Sequence, residues 1–290
     1  EEHYSMPETS TTIKSGSIVS PELPIEFINT GELDIKTTYV LPVTIKSVEG
    51  IGVLQSAKTY YYVFRGASLI NVVCNISRNR AYPDFKNDSK FNNLTENTME
   101  ILFKANSFPN TLNTLMGIES NYLLRIGDAT IPNNQLQVAT SVNNCTSADL
   151  QLESGKWYHV AVAFNKGNVK VYINGVEKLS GSTGKSSVSL GAKHTNEEDG
   201  SRCFWVGYSY KDDRYFDGVV SEVRIWNRAL TAEEIQATNH FYTIEPESEG
   251  LIAYWKFDEG SGTVAKDYSV SGYDLTIEKE PKWESVSLPQ

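Results

Sequence analysis

The stretch Gly155–Gly175, GKWYHVAVAFNKGNVKVYING, constrains the fold of this chain more than any other. Trp157, His159, Ala161 and Ala163 share one face of an extended segment, and Tyr158, Val160, Val162 and Phe164 the other. Asn165–Asn168 (NKGN) predicts a turn, because Gly adopts positive φ at no steric cost and Asn tolerates it. Val169, Val171 and Ile173 then alternate with Lys170, Tyr172 and Asn174, the pattern of a half-buried strand. Asn174-Gly175 signals a second hairpin turn. The segment reads as the middle of an antiparallel sheet.

Composition agrees. Sixteen Tyr and five Trp against three Met favour sheet over helix. The 290 residues suit one large β domain or two smaller ones, and the 40% hydrophobic content excludes global disorder. A formal charge of −10 argues against nucleic acid and anionic membranes as partners, since both require clustered Lys and Arg. No apolar run reaches the roughly 18 residues that a membrane-spanning helix needs. The polar start EEHYSMPETSTT is compatible with a mature chain whose leader was removed, and equally with a shortened chain.

Cys74, Cys145 and Cys203 are too few for a disulfide scaffold and follow no metal-ligand spacing. Cys145 and Cys203 could bridge two loops in an oxidising compartment; the alternative is three unpaired thiols. N-x-S/T triplets at Asn75, Asn87, Asn93 and Asn144 arise readily in a chain this rich in Asn, Ser and Thr, and no function is assigned to them.

Along the chain, residues 1–66 read as a small β domain of the Ig-like sandwich type, with extended runs at 11–13, 23–28, 38–48 and 58–64. Pro42 marks an edge or a bulge. From residue 70 onward strands are predicted at 99–104, 115–118, 122–126, 135–140, 204–210, 215–226 and 251–257, in addition to the hairpin. Residues 192–202 form a long charged loop containing Glu197-Glu198-Asp199. One helix is expected: Thr231 and Glu234 make a capping box, with Leu230 and Ile235 as a hydrophobic staple.

Residues 39–50 (YVLPVTIKSVEG) and 56–63 (SAKTYYYV) resemble the DUF1735-type N-terminal domain of secreted Bacteroidetes proteins, which implies a spacer at the cell surface. A second resemblance covers about residues 90–290. GKWYHVAV (155–162), VKVYINGV (169–176), FDG (216–218), EVRIWNRALTAEEI (222–235) and LIAYWKFDEGSG (251–262) resemble the laminin-G-like, concanavalin-A-like jelly-roll family of carbohydrate-related proteins. The two resemblances imply an all-β chain: a small Ig-like sandwich over 1–66, then a jelly roll with one short helix over 70–290. In the family the LIAYWKFDEGSG block usually opens the domain, whereas here it follows EVRIWNRAL. A sandwich whose first and last strands are neighbours tolerates that order. Leu251–Phe257 is therefore expected to pair inside the sandwich.

The fold family includes glucanases with E-x-D-x-x-E on one strand, a spacing that puts the carboxylates on one face for retaining chemistry. No such segment occurs here, and Glu197-Glu198-Asp199 and Asp212-Asp213 read as solvated loop charge. The four histidines (3, 159, 194, 240) are scattered, no G-x-S-x-G elbow exists, and His159 reads as a packed structural residue. The chain is expected to be non-catalytic. Asp258 and Asp267, flanking a Gly-rich loop, are candidate calcium ligands; the alternative is that Asp267 caps a turn. Tyr208, Tyr210, Arg214 and Tyr215 form one candidate sugar-binding cluster, and Asn121, Tyr122, Arg125 and Asp128 a second. Aromatic faces stack on pyranose rings and polar groups supply hydrogen bonds; the alternative is that these side chains serve sheet packing. The resulting expectation is a secreted or outer-membrane surface lipoprotein that binds a glycan or oligosaccharide. Alternatives are a protein-interaction module of a cell-surface complex and a glycoside hydrolase with an unrecognised site.

Overall fold

The computed structural model describes residues 3–30, 33, 37–65, 70–194 and 202–289. The chain divides into two compact units, residues 1–69 and 70–290.

The first unit holds two short antiparallel ladders among its described residues. β1 (Tyr4–Ser5) pairs β2 (Glu26–Phe27), and β3 (Thr38–Thr44) pairs β4 (Thr59–Arg65) from Tyr39↔Phe64 to Thr44↔Thr59. The rings of Tyr39 and Phe64 stack at 5.9 Å, and Phe27 meets Phe64 at 4.6 Å. Residues 11–13 form no strand, and the run at 23–28 contributes only Glu26–Phe27.

The second unit contributes β5 (Ile70–Asn75), β6 (Ala81–Pro83), β7 (Glu96–Ala105), β8 (Asn113–Ile118), β9 (Tyr122–Asp128) and β10 (Ile131–Thr140). β11 (Trp157–Asn165), β12 (Asn168–Ile173), β13 (Val176–Ser182), β14 (Trp205–Val206) and β15 (Gly218–Trp226) follow. After α1 (Ala232–Ile235), the single α-helix among the described residues, come β16 (Leu251–Trp255), β17 (Val264–Ala265), β18 (Leu275–Ile277) and β19 (Lys282–Leu288). Two sheets result. One has seven strands in the order β10-β9-β8-β14-β6-β18-β17, and the other eight, β13-β12-β11-β7-β15-β5-β19 with β16 beside β15.

Strand alternation builds the core between them. Met99, Ile101 and Phe103 of β7, Val160, Val162 and Phe164 of β11, and Val169, Val171 and Ile173 of β12 point inward from the eight-stranded sheet. Tyr122, Leu124 and Ile126 of β9 and Phe204 and Val206 beside or within β14 meet them from the other sheet. Lys166 and Gly167 at the β11–β12 turn have φ of 46° and 95°, the left-handed conformation that the NKGN tetrapeptide predicts. The other faces of β11 and β12, with Ala161, Ala163 and Tyr172, are covered by Leu230, Ile235, Phe241 and Ile244 from α1 and its flanks. The capping box at Thr231 and Glu234 is present and fixes where the helix begins.

The transposed C-terminal block is integral. β16 pairs β15 antiparallel, with Ala253↔Ile225 and Trp255↔Val223, β18 pairs β6, and β19 pairs β5. β15 can take two partners on one side because it carries a bulge. Glu222 has φ 49°, and the register against β7 shifts between Ser221↔Leu102 and Arg224↔Glu100. Before the bulge β15 pairs β5, and after it β16. The extra residue lets Val220, Val223 and Ile225 all reach the core.

Candidate functional site

The solvent side of the seven-stranded sheet carries an aromatic patch at its centre. Phe204 and Val206 point into the core, so Trp205 points out, and the register Val206↔Ala81 sets Trp205 opposite Tyr82 of β6. Their ring centroids are 5.2 Å apart and steeply inclined. His194 stacks flat on Tyr82 at 3.5 Å and meets the Trp205 ring edge-on at 5.1 Å. The strand predicted over 204–210 pairs only at Trp205–Val206, because Gly207 (φ 79°) turns the chain. That turn brings Tyr208 against Trp205 at 5.1 Å and Tyr215 against Tyr208 at 4.9 Å. Trp205 and Tyr208 are buried and form the floor; Tyr82, His194, Tyr210, Arg214 and Tyr215 are half-buried around it.

Arg80 braces the floor. Its guanidinium carbon lies 4.5 Å from the Tyr208 centroid and 5.1 Å from that of Trp205. Its Nε and Nη2 donate to the two Glu278 carboxylate oxygens at 2.8 and 2.6 Å. Burial opposes the charge on Arg80, yet the bond to Glu278 together with the neighbouring Tyr215, Glu278 and Tyr208 groups outweighs it and raises the pKa above its ordinary value. Burial raises the Tyr208 and Tyr215 phenols and lowers His194, so the patch presents neutral rings.

The four residues of the first predicted cluster, Tyr208, Tyr210, Arg214 and Tyr215, thus lie together. The Arg214 guanidinium sits 5.3 Å from the Tyr210 ring and pairs with Asp213. Three of the second cluster divide between this sheet face and its rim. Arg125 points outward from β9, donates to Gln137 Oε1 at 2.8 and 2.6 Å, and pairs with Asp128 at 2.5 Å. Asn121, at the β8–β9 turn, donates to the Ser189 carbonyl at 2.6 Å and accepts from Lys185 at 3.0 Å. Arg202 links the clusters: it donates to the Glu119 carbonyl at 3.4 Å and lies 5.8 Å from the Tyr210 ring.

Tyr122 is a correction. It is fully buried, because its position in β9 has the parity of Leu124 and Ile126, and it packs edge-on against Phe164 in the core. Burial drives its phenol pKa upward. Of the two readings of the cysteines, the structure has the unbridged one: Cys145 and Cys203 form no disulfide. Cys145 sits in the main core with Sγ 3.3 Å from the Ser182 carbonyl, whereas Cys203 packs with Trp205 and Tyr208.

Asp267 is buried and its carboxylate is occupied by the backbone. Oδ1 accepts from the N–H groups of Tyr254 (3.0 Å) and Ser269 (2.8 Å), and Oδ2 from Tyr273 (2.8 Å). Asp258 is exposed. Among the described residues, the one group of three His, Cys, Asp or Glu donors within 4.8 Å of one another is Glu100, His159 and His240. It lies on the covered side of the eight-stranded sheet. The acidic loop Glu197-Glu198-Asp199 lies outside the described residues.

The sequence profile of the concanavalin A-like lectin/glucanases superfamily matches residues 79–236, more than half of the chain. The chain belongs to that superfamily. A profile of an N-terminal domain family matches residues 1–52, within the region that resembles the DUF1735 type. No curated protein sequence matches this member of the superfamily. Among solved structures it is similar to a candidate carbohydrate-binding protein from Bacteroides ovatus, at 26% identity and a TM-score of 0.69, covering 98% of this chain and 79% of that one. Domain 4 of an extracellular arabinanase from Geobacillus stearothermophilus, solved with arabinotriose, aligns at 20% identity and a TM-score of 0.40, over 72% of this chain and 89% of that one. A heptameric SAP-like pentraxin from Limulus polyphemus aligns at 15% identity and a TM-score of 0.40, over 59% of this chain and 82% of that one.

Sequence reasoning missed Arg80, Tyr82, His194, Trp205 and Glu278. Tyr82 stands in a three-residue strand too short to show alternation. Trp205 and Tyr208 have opposite strand parity, and only the turn at Gly207 puts them on one side. Arg80 and Glu278 meet because β18 pairs β6, a contact 198 residues apart in the chain.

Proposed function

We propose that this protein binds a neutral glycan without catalysing its cleavage, as part of a secreted or surface glycan-capture system. The carrying observation is the patch of Tyr82, His194, Trp205, Tyr208 and Tyr215, braced by Arg80 on the solvent side of a superfamily sheet. Flat rings held in fixed relation suit the apolar faces of pyranoses, and the rim supplies the Tyr210 and Tyr215 hydroxyls and the Arg214 guanidinium for hydrogen bonds. Arg80, Arg125 and Arg214 are each neutralised, by Glu278, Asp128 and Asp213. Such a face favours an uncharged sugar over an acidic one. The same pairing supports a non-catalytic reading, since these carboxylates serve to hold arginines. The likeness to the Bacteroides ovatus protein supports the carbohydrate class.

A few stacks and hydrogen bonds give weak binding per site, roughly micromolar to millimolar. The test is a glycan array followed by calorimetry on the best neutral oligosaccharide. Tyr210→Ala and Tyr215→Ala should each weaken binding on the order of tenfold while leaving the fold intact. Unchanged affinity in both variants would overturn the site, and release of reducing sugar would overturn the non-catalytic reading. A pull-down that recovers one protein irrespective of free sugar would favour the protein-interaction alternative.

A further inference from the structure

We propose that Glu100, His159 and His240 form a binding site for a divalent transition-metal ion of the zinc class, separate from the glycan patch. The three donors come from three parts of the fold: β7, β11, and the segment after α1 that covers the eight-stranded sheet. Each offers one ligand atom, all within 4.8 Å of one another, and a carboxylate with two imidazoles is a zinc donor set with a fourth position left open.

The distances are close to those a metal requires. With bonds of about 2.0–2.1 Å, a tetrahedral zinc holds its ligand atoms about 3.3 Å apart. Glu100 Oε1 already lies 3.4 Å from His159 Nε2. His240 Nε2 is 2.6 Å from the same oxygen and would withdraw by about 0.7 Å to admit the ion. The other carboxylate oxygen is held from behind: Trp226 Nε1 donates to Oε2 at 2.7 Å, and Arg224 Nη1 lies 3.7 Å from it. Outer partners of this kind orient a ligating carboxylate and leave one oxygen for the metal.

The second observation is His159 itself. It is fully buried, its ring stacks on Phe241 at 4.5 Å, and neither ring nitrogen makes a hydrogen bond. A buried imidazole with both nitrogens unsatisfied is costly, and coordination through Nε2 relieves half of that cost. Arg224 stays bonded to Glu222 and to the His240 carbonyl and lies 3.7 Å from Glu100 Oε2, so Oε1 remains for the ion. The competing arrangement is a proton shared between His240 and Glu100, which would need no metal.

The experiment uses the full chain expressed in zinc-supplemented medium and measures metal content by mass spectrometry after gel filtration. About one zinc per chain is expected. Metal-free protein, prepared with chelator, should rise in melting temperature on the order of 5–10 °C when zinc is restored to a hundredfold excess over its dissociation constant. Cobalt in place of zinc should give the visible absorption of a tetrahedral centre. His159→Gln should lose the metal. Because that variant also alters a fully buried ring, the wild-type measurements decide the matter: folded wild-type protein with no retained metal, no cobalt spectrum and no response to zinc would overturn the site in favour of the shared proton.

Discussion

His240 Nε2 lies 2.6 Å from Glu100 Oε1, and this contact fastens the segment after α1 to the middle of the eight-stranded sheet. Around it the buried polar groups are coupled. Arg224 binds Glu222 and donates to the His240 carbonyl at 2.7 Å, while Tyr254 Oη donates to Glu222 at 2.7 Å. Removing one member leaves another buried and uncompensated. Arg224→Met should cost about 3–5 kcal/mol in chemical denaturation, and adding Glu222→Gln to it should recover part of the loss. A double variant that loses the sum of the Arg224→Met and Glu222→Gln losses measured singly would show that the two residues are not coupled.

Asp217 of the FDG motif joins three strand ends. Its oxygens accept from Ser77 Oγ at 2.8 Å and Ser107 Oγ at 2.6 Å, with Asn106 Nδ2 at 3.4 Å. Burial would raise its pKa, but these hydrogen bonds outweigh burial and lower it. A depressed folded-state pKa means that the stabilisation is present above the unfolded-state pKa of about 4 and is lost as pH falls through the lower folded value. Asp217→Asn should therefore flatten the fall in stability below about pH 4. Urea midpoints of both proteins across that range provide the comparison, and parallel curves would refute the assignment.

The jelly roll was legible in the sequence because its strands are long and alternate. The faces read for β11, with Trp157, His159, Ala161 and Ala163 opposite Tyr158, Val160, Val162 and Phe164, are the faces observed. The site was legible only where its residues are close in sequence. Tyr208, Tyr210, Arg214 and Tyr215 stand within eight positions, whereas Arg80, Tyr82 and Glu278 join them through the pairing of β6 with β14 and β18. Tyr122 was misread because chemical type was weighed without parity: one residue further along, the same ring would have pointed away from the core between the sheets.

Arg80 connects the aromatic floor to Glu278, and both partners are partly exposed, so the ion pair itself contributes little. Most of its effect should come from covering Trp205 and Tyr208. Arg80→Ala is expected to lower stability by about 1–2 kcal/mol and to weaken glycan binding, while Arg80→Lys retains charge but lacks the flat fork that bonds Glu278 twice. Calorimetry should rank affinity as wild type, then Lys, then Ala. Equal affinity in all three would show that the floor needs no brace.

Residues 250–290 follow α1 and would pass, from their position, for an appendage. Their pairing argues otherwise. Leu251–Trp255 are all buried, the Trp255 ring centroid lies 6.3 Å from that of Phe85 and 6.2 Å from that of Phe204, and β16 occupies the side of β15 beyond the Glu222 bulge. β18 fills the place between β6 and β17, and β19 closes the edge beside β5. Without these strands β5, β6 and the second half of β15 each lose a pairing partner, and the Asp267 carboxylate, which accepts three backbone N–H groups, leaves with them. A chain ending at Glu249 should therefore show no cooperative unfolding transition, whereas the full chain unfolds cooperatively. Limited proteolysis gives the complementary result: cleavage near Gly250 should occur only as the second unit unfolds. A stable 1–249 fragment with dispersed amide resonances would mean that the sandwich closes without its last strands.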